Sequence, residues 1–169
     1  KVEFILDDNP KSIGRYKNIE LIRGREAIEN WLKNENSHLL NGVVAIGMLG
    51  NIRLKLLKEF ESRKVACPPI IHKNAYIAKN AEISNGSQVL AGAVISANAK
   101  IGYGTIVNHN AVVDHDSVVQ EGTHVAPGAI ICGNVTVESF CIIGANSTIL
   151  PNVHIKRGSV VKAGSLIKK

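Results

Sequence analysis

A six-residue repeat that runs from residue 71 to residue 167 constrains the fold more than any other feature of the sequence. Every sixth residue is isoleucine or valine, and the fourth residue after each one is small or valine. In an extended backbone, residues two apart face the same side, so both kinds of position point inward together. Each hexad therefore predicts one short strand with its apolar side chains in a narrow core. The aliphatic positions are Ile71, Ile77, Ile83, Val89, Ile95, Ile101, Val107, Val113, Val119, Val125, Ile131, Val137, Ile143, Ile149, Ile155, Val161 and Ile167.

The third residue after each aliphatic position marks a corner between strands. It is Asn, Asp or Gly in every hexad except the one that places Phe140 there. These residue types tolerate the left-handed backbone conformation, so the pattern predicts a sharp turn after every strand. A strand and a corner repeated over this length predict a coil of stacked strands.

Residues 1–66 follow a different pattern, that of an α/β segment. The order strand, helix, strand, helix predicts a small parallel sheet. The chain opens without methionine and directly on an apolar strand, so we expect a preceding strand and its glycine-rich turn to be missing from this sequence. The predicted elements are a strand at 2–6, a turn at 7–10, a helix at 25–34, a buried strand at 43–47, and a helix at 51–63 with Asn51 as its N-cap.

Charge and composition exclude several classes of function. The chain has a net charge of +6, and no acidic residue follows Glu138. Its basic C-terminal end is poor in aromatic residues, and its lysines are spaced by the repeat. Both features argue against binding of nucleic acid, so the positive charge is either a solvated surface or a binding site for a phosphate-bearing small molecule. No run of 18 apolar residues and no charged-then-apolar leader is present, so we expect a cytoplasmic protein without a membrane span. The cysteines Cys67, Cys132 and Cys141 lack metal-type spacing and are interpreted as reduced packing residues.

The hexad repeat resembles that of the hexapeptide-repeat acyltransferases, whose repeat folds as a left-handed parallel β-helix with three hexads per turn. The resemblance implies five to six coils, about 4.8 Å apart. It also implies two domains, an α/β Rossmann-like nucleotide-sugar-binding domain at 1–66 and a β-helix acetyltransferase domain at 67–169. Further motifs resemble the subgroup of sialic acid O-acetyltransferases and N-acetyltransferases of nucleotide-linked 4-amino-sugars, including the bacillosamine pathway enzymes. These motifs are 4-FILDDN-9, 44-VAIG-47, 108-NHNAVVDHDSVV-119, 121-EGTHVAPGA-129, 132-CGNV-135 and 144-GANSTILPNV-153.

His115 is the strongest candidate catalytic residue. It occupies a corner between Asp114 and Asp116, which can fix its tautomer and raise its basicity. With three hexads per turn, residues 18 apart stack on adjacent turns, so His115 is predicted to lie beside Gly133. An outward imidazole beside a glycine backbone N–H suits a general base with an oxyanion donor. His124 is predicted to face outward from a nearby strand, while His72, His109 and His154 are interpreted as surface residues.

The resemblance implies a role for each matching residue. It makes His115 the general base, Asp116 its acidic partner and His124 the second active-site histidine. The family's glycine-rich opening turn and its C-terminal tail have no counterpart in this sequence. By the same resemblance, Asn108, His124, Asp7 and Asp8 contact the sugar nucleotide, and His124, Gly133, Gly144, Ala145, Lys156, Arg157 and Lys162 contact coenzyme A.

The resemblance implies acetyl-CoA-dependent N-acetylation of a UDP-4-amino-sugar by a homotrimer with sites between neighbouring coils. O-acetylation of sialic acid or another sugar hydroxyl is the alternative within this class. From a different class, a non-catalytic trimeric solenoid also fits the repeat. The γ-type carbonic anhydrases share the coil and bind zinc with three histidines, but the spacing of His109, His115 and His124 differs from theirs, so no metal is predicted.

Overall fold

The computed structural model describes residues 2–14, 18–33 and 40–168 of the chain. Its N-terminal part begins with two parallel strands, β1 (Phe4–Asp7) and β2 (Glu20–Arg23), followed by helix α1 (Arg25–Leu32). A longer helix, α2 (Gly50–Ser62), leads into the coil. The parallel pairing fits an α/β unit, but a two-stranded sheet with two helices does not by itself make the predicted Rossmann-like domain. Neither helix is long and apolar enough to cross a bilayer, within the residues that the structure describes.

Two local predictions for this part are wrong, and one strand was not predicted. Residues 43–47 form no strand, because their carbonyl groups bond to side chains: Gln88 donates to Val44 O at 2.9 Å and Arg53 donates to Ile46 O at 2.8 Å. β2 was not predicted at all. Helix α2 begins at Gly50 after Leu49, without a side-chain cap, so Asn51 is not its N-cap. Residue 34, the predicted end of the first helix, lies outside the described residues.

The hexad repeat forms the predicted coil. Seventeen strands of two residues each pair in parallel as three stacked sheets, an arrangement consistent with a left-handed β-helix. The first face of the coil contains β3 (Ile70–Ile71), β6 (Gln88–Val89), β9 (Ile106–Val107), β12 (His124–Val125), β15 (Ile142–Ile143) and β18 (Val160–Val161). The second face contains β4 (Tyr76–Ile77), β7 (Val94–Ile95), β10 (Val112–Val113), β13 (Ile130–Ile131), β16 (Thr148–Ile149) and β19 (Leu166–Ile167). The third face contains β5 (Glu82–Ile83), β8 (Lys100–Ile101), β11 (Val118–Val119), β14 (Thr136–Val137) and β17 (His154–Ile155).

The core of the coil consists of the repeated aliphatic residues, as predicted. From Val89 to Ile149 each of them is at most 1% exposed, and Cys141 is fully buried among them. Ile71 in the first turn is 45% exposed, because no preceding turn covers it. Burial of apolar side chains along the axis is therefore the main source of stability for the coil.

The corners between faces form three edges. The His115 edge lies between the second and third faces, the Lys162 edge between the first and second, and the helix edge between the third and first. From Gly86 onward every corner residue has a positive φ, including Phe140 at 61°, whereas Asn74 and Asn80 in the first turn do not. The edges comprise 78–81, 96–99, 114–117, 132–135 and 150–153 (His115 edge); 72–75, 90–93, 108–111, 126–129, 144–147 and 162–165 (Lys162 edge); and 84–87, 102–105, 120–123, 138–141 and 156–159 (helix edge).

Helix α2 packs on the helix edge. Its Leu54 and Leu57 side chains lie so close to Gly86 and Gly104 that a Cβ atom at either glycine would fall within 2.6 Å of them. Arg53 is fully buried beside these leucines. Its guanidinium donates to the carbonyl oxygens of Ile46, Gly47, Gly104, Gly122 and Thr123. Burial lowers the pKa of Arg53 to about 10, and these carbonyl bonds tie the N-terminal part to the coil.

Candidate active site

His115 and Asp116 form a hydrogen-bonded pair at a corner of the His115 edge, between β10 and β11. Nδ1 of His115 lies 2.8 Å from Oδ2 of Asp116, and the backbone N–H of His115 donates to Oδ1 of Asp114 at 2.8 Å. The bond to Asp116, followed by the charge of Asp114, raises the pKa of His115 above its ordinary value of 6.5. Because Nδ1 is engaged, Nε2 is the ring nitrogen left to accept a proton.

Gly133 lies directly beneath the His115 ring, as the repeat predicts. Val113 pairs with Ile131 in register, so His115 stacks on Gly133 one turn further on. A Cβ atom at residue 133 would fall 2.5 Å from His115 Nε2, so only glycine leaves room for the ring in this position. Among the described residues no acceptor pairs with the backbone N–H of Gly133, whereas that of Asn134 donates to His115 O at 2.9 Å. The site thus pairs a basic nitrogen with a free backbone donor.

His124 does not share this site within one chain. It lies on the first face and points away from the core of the coil, as predicted, but it is only 8% exposed. The segment around Gly47 and Arg53 covers it, and its Nδ1 is buried without a hydrogen-bond partner among the described residues. Burial lowers the pKa of His124, and the nearby charge of Arg53 acts in the same direction. Burial beneath the N-terminal part therefore favours the neutral imidazole.

Apart from His124 on the first face, the residues predicted to contact coenzyme A lie on three different edges. Gly133 is on the His115 edge. Gly144, Ala145 and Lys162 are together on the Lys162 edge, where Gly164 N donates to Ala145 O at 2.8 Å. A Cβ atom at Gly144 would fall 2.5 Å from Ala163 N, so this glycine allows the turns to stack closely. Asn108, predicted to contact the sugar, occupies the same edge, and its Oδ1 accepts the backbone N–H of His109 at 2.8 Å.

Lys156 and Arg157 are separated from that group, because they lie on the helix edge. The backbone N–H of Arg157 donates to Glu138 Oε2 at 2.7 Å, and its guanidinium lies 4.6 Å from the centre of the Phe140 ring. A single chain therefore does not bring these two basic residues to Lys162. The contact of Arg157 with the Phe140 ring instead stabilises Phe140 at its corner position.

Asp7 and Asp8 differ in what their carboxylates do. Asp7 accepts the backbone N–H of Asn9 at 2.9 Å and the Ser12 hydroxyl at 2.5 Å, so both its oxygens serve the turn that the sequence predicts. Asp8 borders a shallow pocket at the carboxyl ends of β1 and β2 and the start of α1, together with Arg23, Gly24 and Arg25. Ligands of open α/β sheets bind at this end of the strands. Asp8 is thus better placed than Asp7 to contact a ligand.

One polar contact of the site was not predicted from the sequence. Asn98 donates to Oδ1 of Asp116 at 2.9 Å, and Asn80 donates to Asn98 at 2.6 Å. The signal was present in the repeat, because every corner of the His115 edge is Asn or Asp and none is Gly. Within the described ranges, no group of three or more His, Cys, Asp or Glu side chains is arranged to hold a metal ion.

Residues 134–169 match the bacterial transferase hexapeptide family, described as six repeats. A comparison with curated proteins gives no significant match. Solved structures with a similar fold include the acetyltransferase domain of PglB from Neisseria gonorrhoeae, which is 28% identical, with 94% of this chain and 75% of that chain covered and a TM-score of 0.84. That domain is also known in complex with acetyl coenzyme A.

A variant of perosamine N-acetyltransferase from Caulobacter crescentus, in complex with CoA and GDP-perosamine, is 26% identical, with 90% of this chain and 70% of that chain covered and a TM-score of 0.83. WeeI from Acinetobacter baumannii is 24% identical, with 97% of this chain and 76% of that chain covered and a TM-score of 0.82, and it shows a similarity of fold alone. The predicted resemblance is thus confirmed: the chain is similar to hexapeptide-repeat transferases, and the similar solved structures include an acetyltransferase domain and perosamine N-acetyltransferase.

Proposed function

We propose that this protein transfers the acetyl group of acetyl-CoA to the amine of a nucleotide-linked amino-sugar, a UDP-4-amino-sugar in our preferred assignment. The observation that carries the proposal is the His115–Asp116 pair stacked on Gly133. A histidine with its Nδ1 fixed by a carboxylate and its Nε2 open is suited to act as a general base. The complexes of the similar proteins with CoA, acetyl-CoA and GDP-perosamine support the choice of donor and acceptor class.

In the proposed mechanism the sugar amine attacks the thioester carbonyl carbon while His115 Nε2 takes the proton from nitrogen. The backbone N–H of Gly133 donates to the oxyanion of the tetrahedral intermediate. Collapse of the intermediate breaks the carbon–sulfur bond, and the thiolate of coenzyme A leaves and takes a proton from the imidazolium. Asp116 holds the Nδ1–H tautomer throughout and stabilises the charged ring.

The second face supports assembly with further copies of the chain. Its outward side chains are apolar or Thr along the whole coil, and Tyr76, Ile130 and Leu166 among them are exposed. The outward side chains of the third face include Glu82, Lys100 and His154, which suit contact with water. We therefore propose that three copies turn their second faces toward a common axis, where burial of this ladder stabilises a trimer.

Such a trimer would complete the site. The His115 edge and the Lys162 edge flank the second face, so a cyclic trimer sets the His115 edge of one copy against the Lys162 edge of the next. His115, Asp116 and Gly133 would then face Asn108, Gly144 and Lys162 of the neighbouring copy. In this arrangement Lys162 is the basic residue best placed for a coenzyme A phosphate. The basic charge of Lys156 and Arg157 would lie outside the cleft.

We propose the pocket beside Asp8, in the N-terminal α/β part of the chain, as the site for the nucleotide of the acceptor. Arg23 supplies positive charge there and the N-terminus of α1 adds its partial positive charge, which suit a phosphate group, while Arg25 is paired with Glu29 and Glu59. The three cysteines are free thiols, which fits a reaction in the reducing cytoplasm.

The test is a panel of nucleotide amino-sugars and sialic acid, scored by release of free coenzyme A thiol from acetyl-CoA. We expect release with a UDP-4-amino-sugar, and a loss of about 10²–10⁴-fold in kcat for His115→Ala. The matched control is His154→Ala, since His154 is an equally exposed histidine 2.8 Å from a carboxylate, that of Glu138, but lies on the third face. This control should retain full activity.

Two results would contradict the proposal. If no acceptor in the panel releases thiol with the intact protein, the chain is a non-catalytic solenoid. If thiol release is as fast in His115→Ala as in the unchanged protein, another group is the base. Release with sialic acid alone would move the acceptor from an amine to a sugar hydroxyl.

A further inference from the structure

A row of amide groups on the His115 edge leads to the carboxylate of Asp116. Asn80, Asn98 and Asp116 occupy the same corner on successive turns, 18 residues apart. Nδ2 of Asn80 donates to Oδ1 of Asn98 at 2.6 Å, and Nδ2 of Asn98 donates to Oδ1 of Asp116 at 2.9 Å. Resting on the proposed function, we infer that Asn98 is a positioning residue, which orients Asp116 and through it the tautomer and ring plane of His115.

The direction of the row follows from the chemistry of its last member. An ionised carboxylate can only accept hydrogen bonds, so Asn98 must turn its NH2 group toward Asp116 and its carbonyl oxygen toward Asn80. Each oxygen of Asp116 then has its own donor, Asn98 at Oδ1 and His115 at Oδ2. On the far side, Asn134 turns away from Asp116 and donates to Asn152 at 2.7 Å. The row therefore ends at the carboxylate that holds His115.

The fold alone does not require these side chains. Glycine satisfies the same left-handed corner on the Lys162 edge, where Gly92, Gly128 and Gly164 alternate with asparagines. On the His115 edge a side chain is present at every corner. The amide of Asn98 is therefore not needed to form the turn. Its NH2 group donates to Asp116.

The second donor matters because the pair is open to water. The side chains of His115 and Asp116 are 59% and 52% exposed, so a single bond leaves the carboxylate able to rotate. A bond from Asn98 to the other oxygen fixes the carboxylate plane, and a fixed carboxylate holds the proton of the neutral ring on Nδ1. Asp114, the other carboxylate facing this residue, accepts the backbone N–H of His115, so it does not fix the ring.

The experiment compares Asn98→Asp and Asn98→Gly with Asn152→Asp. Asp is isosteric with Asn but, when ionised, has no proton to donate, and Gly fits the positive φ of residue 98 without strain. Asn152 has a similar positive φ and already accepts a bond from Asn134, so an aspartate there keeps its contact. We expect both Asn98 variants to lower kcat about tenfold with little change in KM, by analogy with outer groups that orient a catalytic ligand.

The decisive readout is the tautomer of His115, followed by ¹⁵N NMR in the substrate-free protein. Both Asn98 variants should shift the neutral ring from the Nδ1–H form toward the Nε2–H form, while Asn152→Asp leaves it unchanged. If the tautomer of both Asn98 variants matches that of the control, the inference is overturned. This readout needs no turnover, so it decides the role of Asn98 even if the unchanged protein transfers no acetyl group. Absence of acetyl transfer would instead contradict the proposed function.

Discussion

The His115 edge and the helix edge are built from the same hexad, yet their corners carry different residues. Both edges need the left-handed conformation. The helix edge uses glycine at all corners but Phe140. A Cβ atom at Gly86 or Gly104 would meet the leucines of α2 and one at Gly122 would meet the Phe140 ring, whereas no described atom lies within 4 Å of one at Gly158. The His115 edge is open and uses Asn or Asp throughout. At Gly86 and Gly104 the corner residue thus depends on the helix packed against it, whereas the repeat itself shows only that a corner is there.

Phe140 is the exception that supports this interpretation. It holds φ at 61°, a conformation unfavourable for a residue with a bulky side chain. Its ring packs against Gly122 on one side and beneath the guanidinium of Arg157 on the other. It also joins the apolar cluster that contains Leu54 and Leu57. Packing therefore offsets the backbone cost at this corner.

The largest expected effect is on the helix edge. In Gly104→Ala the added Cβ atom would fall 2.4 Å from Leu54 Cδ2, and φ at this corner is +61°. Overpacking and left-handed strain together should lower the free energy of unfolding by about 2–4 kcal/mol. Gly158→Ala is the matched control, because its φ is +70° but no atom lies within 4 Å of the added carbon, so only strain of about 1 kcal/mol remains. Urea unfolding measures both, and equal losses would show that α2 does not press on this edge.

A smaller effect is expected on the His115 edge, and it should appear in activity. Gly133→Ala places a Cβ atom 2.5 Å from Nε2 of His115, and the exposed ring can move aside. We expect kcat to fall about 10–100-fold, since a displacement of about 1 Å in a reacting group costs this much, with the free energy of unfolding nearly unchanged.

Gly102 lies on the helix edge, one position earlier in its hexad than Gly133, and serves as the control. A Cβ atom there would meet the backbone nitrogen of Glu121 at 2.6 Å, which cannot move aside as a side chain can. Gly102→Ala should therefore reduce stability without a specific loss of kcat in the folded protein. If Gly133→Ala also lost mainly stability, the two edges would not differ in the way proposed.

The period of the repeat determined how much of the structure could be predicted. Register follows from the period, so the core residues, the corners and the stacking of His115 on Gly133 were all predicted correctly. The predictions that failed concern the N-terminal segment, which has no repeat, and its contacts with the coil. In the segment at 43–47, Val44 is buried and its carbonyl accepts a bond from Gln88 of the coil, and His124 is buried because Gly47 and Arg53 lie over it. No pattern within either stretch records that contact.

The smallest expected effect compares the two histidines by pH. Burial lowers the pKa of His124 below 6.5, so the unfolded chain binds a proton more readily than the folded one does. Stability from this residue is present above the unfolded pKa and is lost as the pH falls from about 6.5 toward the folded pKa. His115 has the opposite sign, because its raised pKa adds stability at low pH that is lost as the pH rises through the folded value.

Melting temperatures measured between about pH 7.5 and 5.5 should therefore fall less for His124→Gln than for the unchanged protein, and more for His115→Ala. Glutamine keeps a polar group beside Gly47 but does not titrate, so the His124 comparison isolates protonation from packing. Parallel pH profiles for His124→Gln and the unchanged protein would mean that this imidazole stays accessible to protons in the folded state. The N-terminal part would then not cover the first face as tightly as Arg53 and its carbonyl partners indicate.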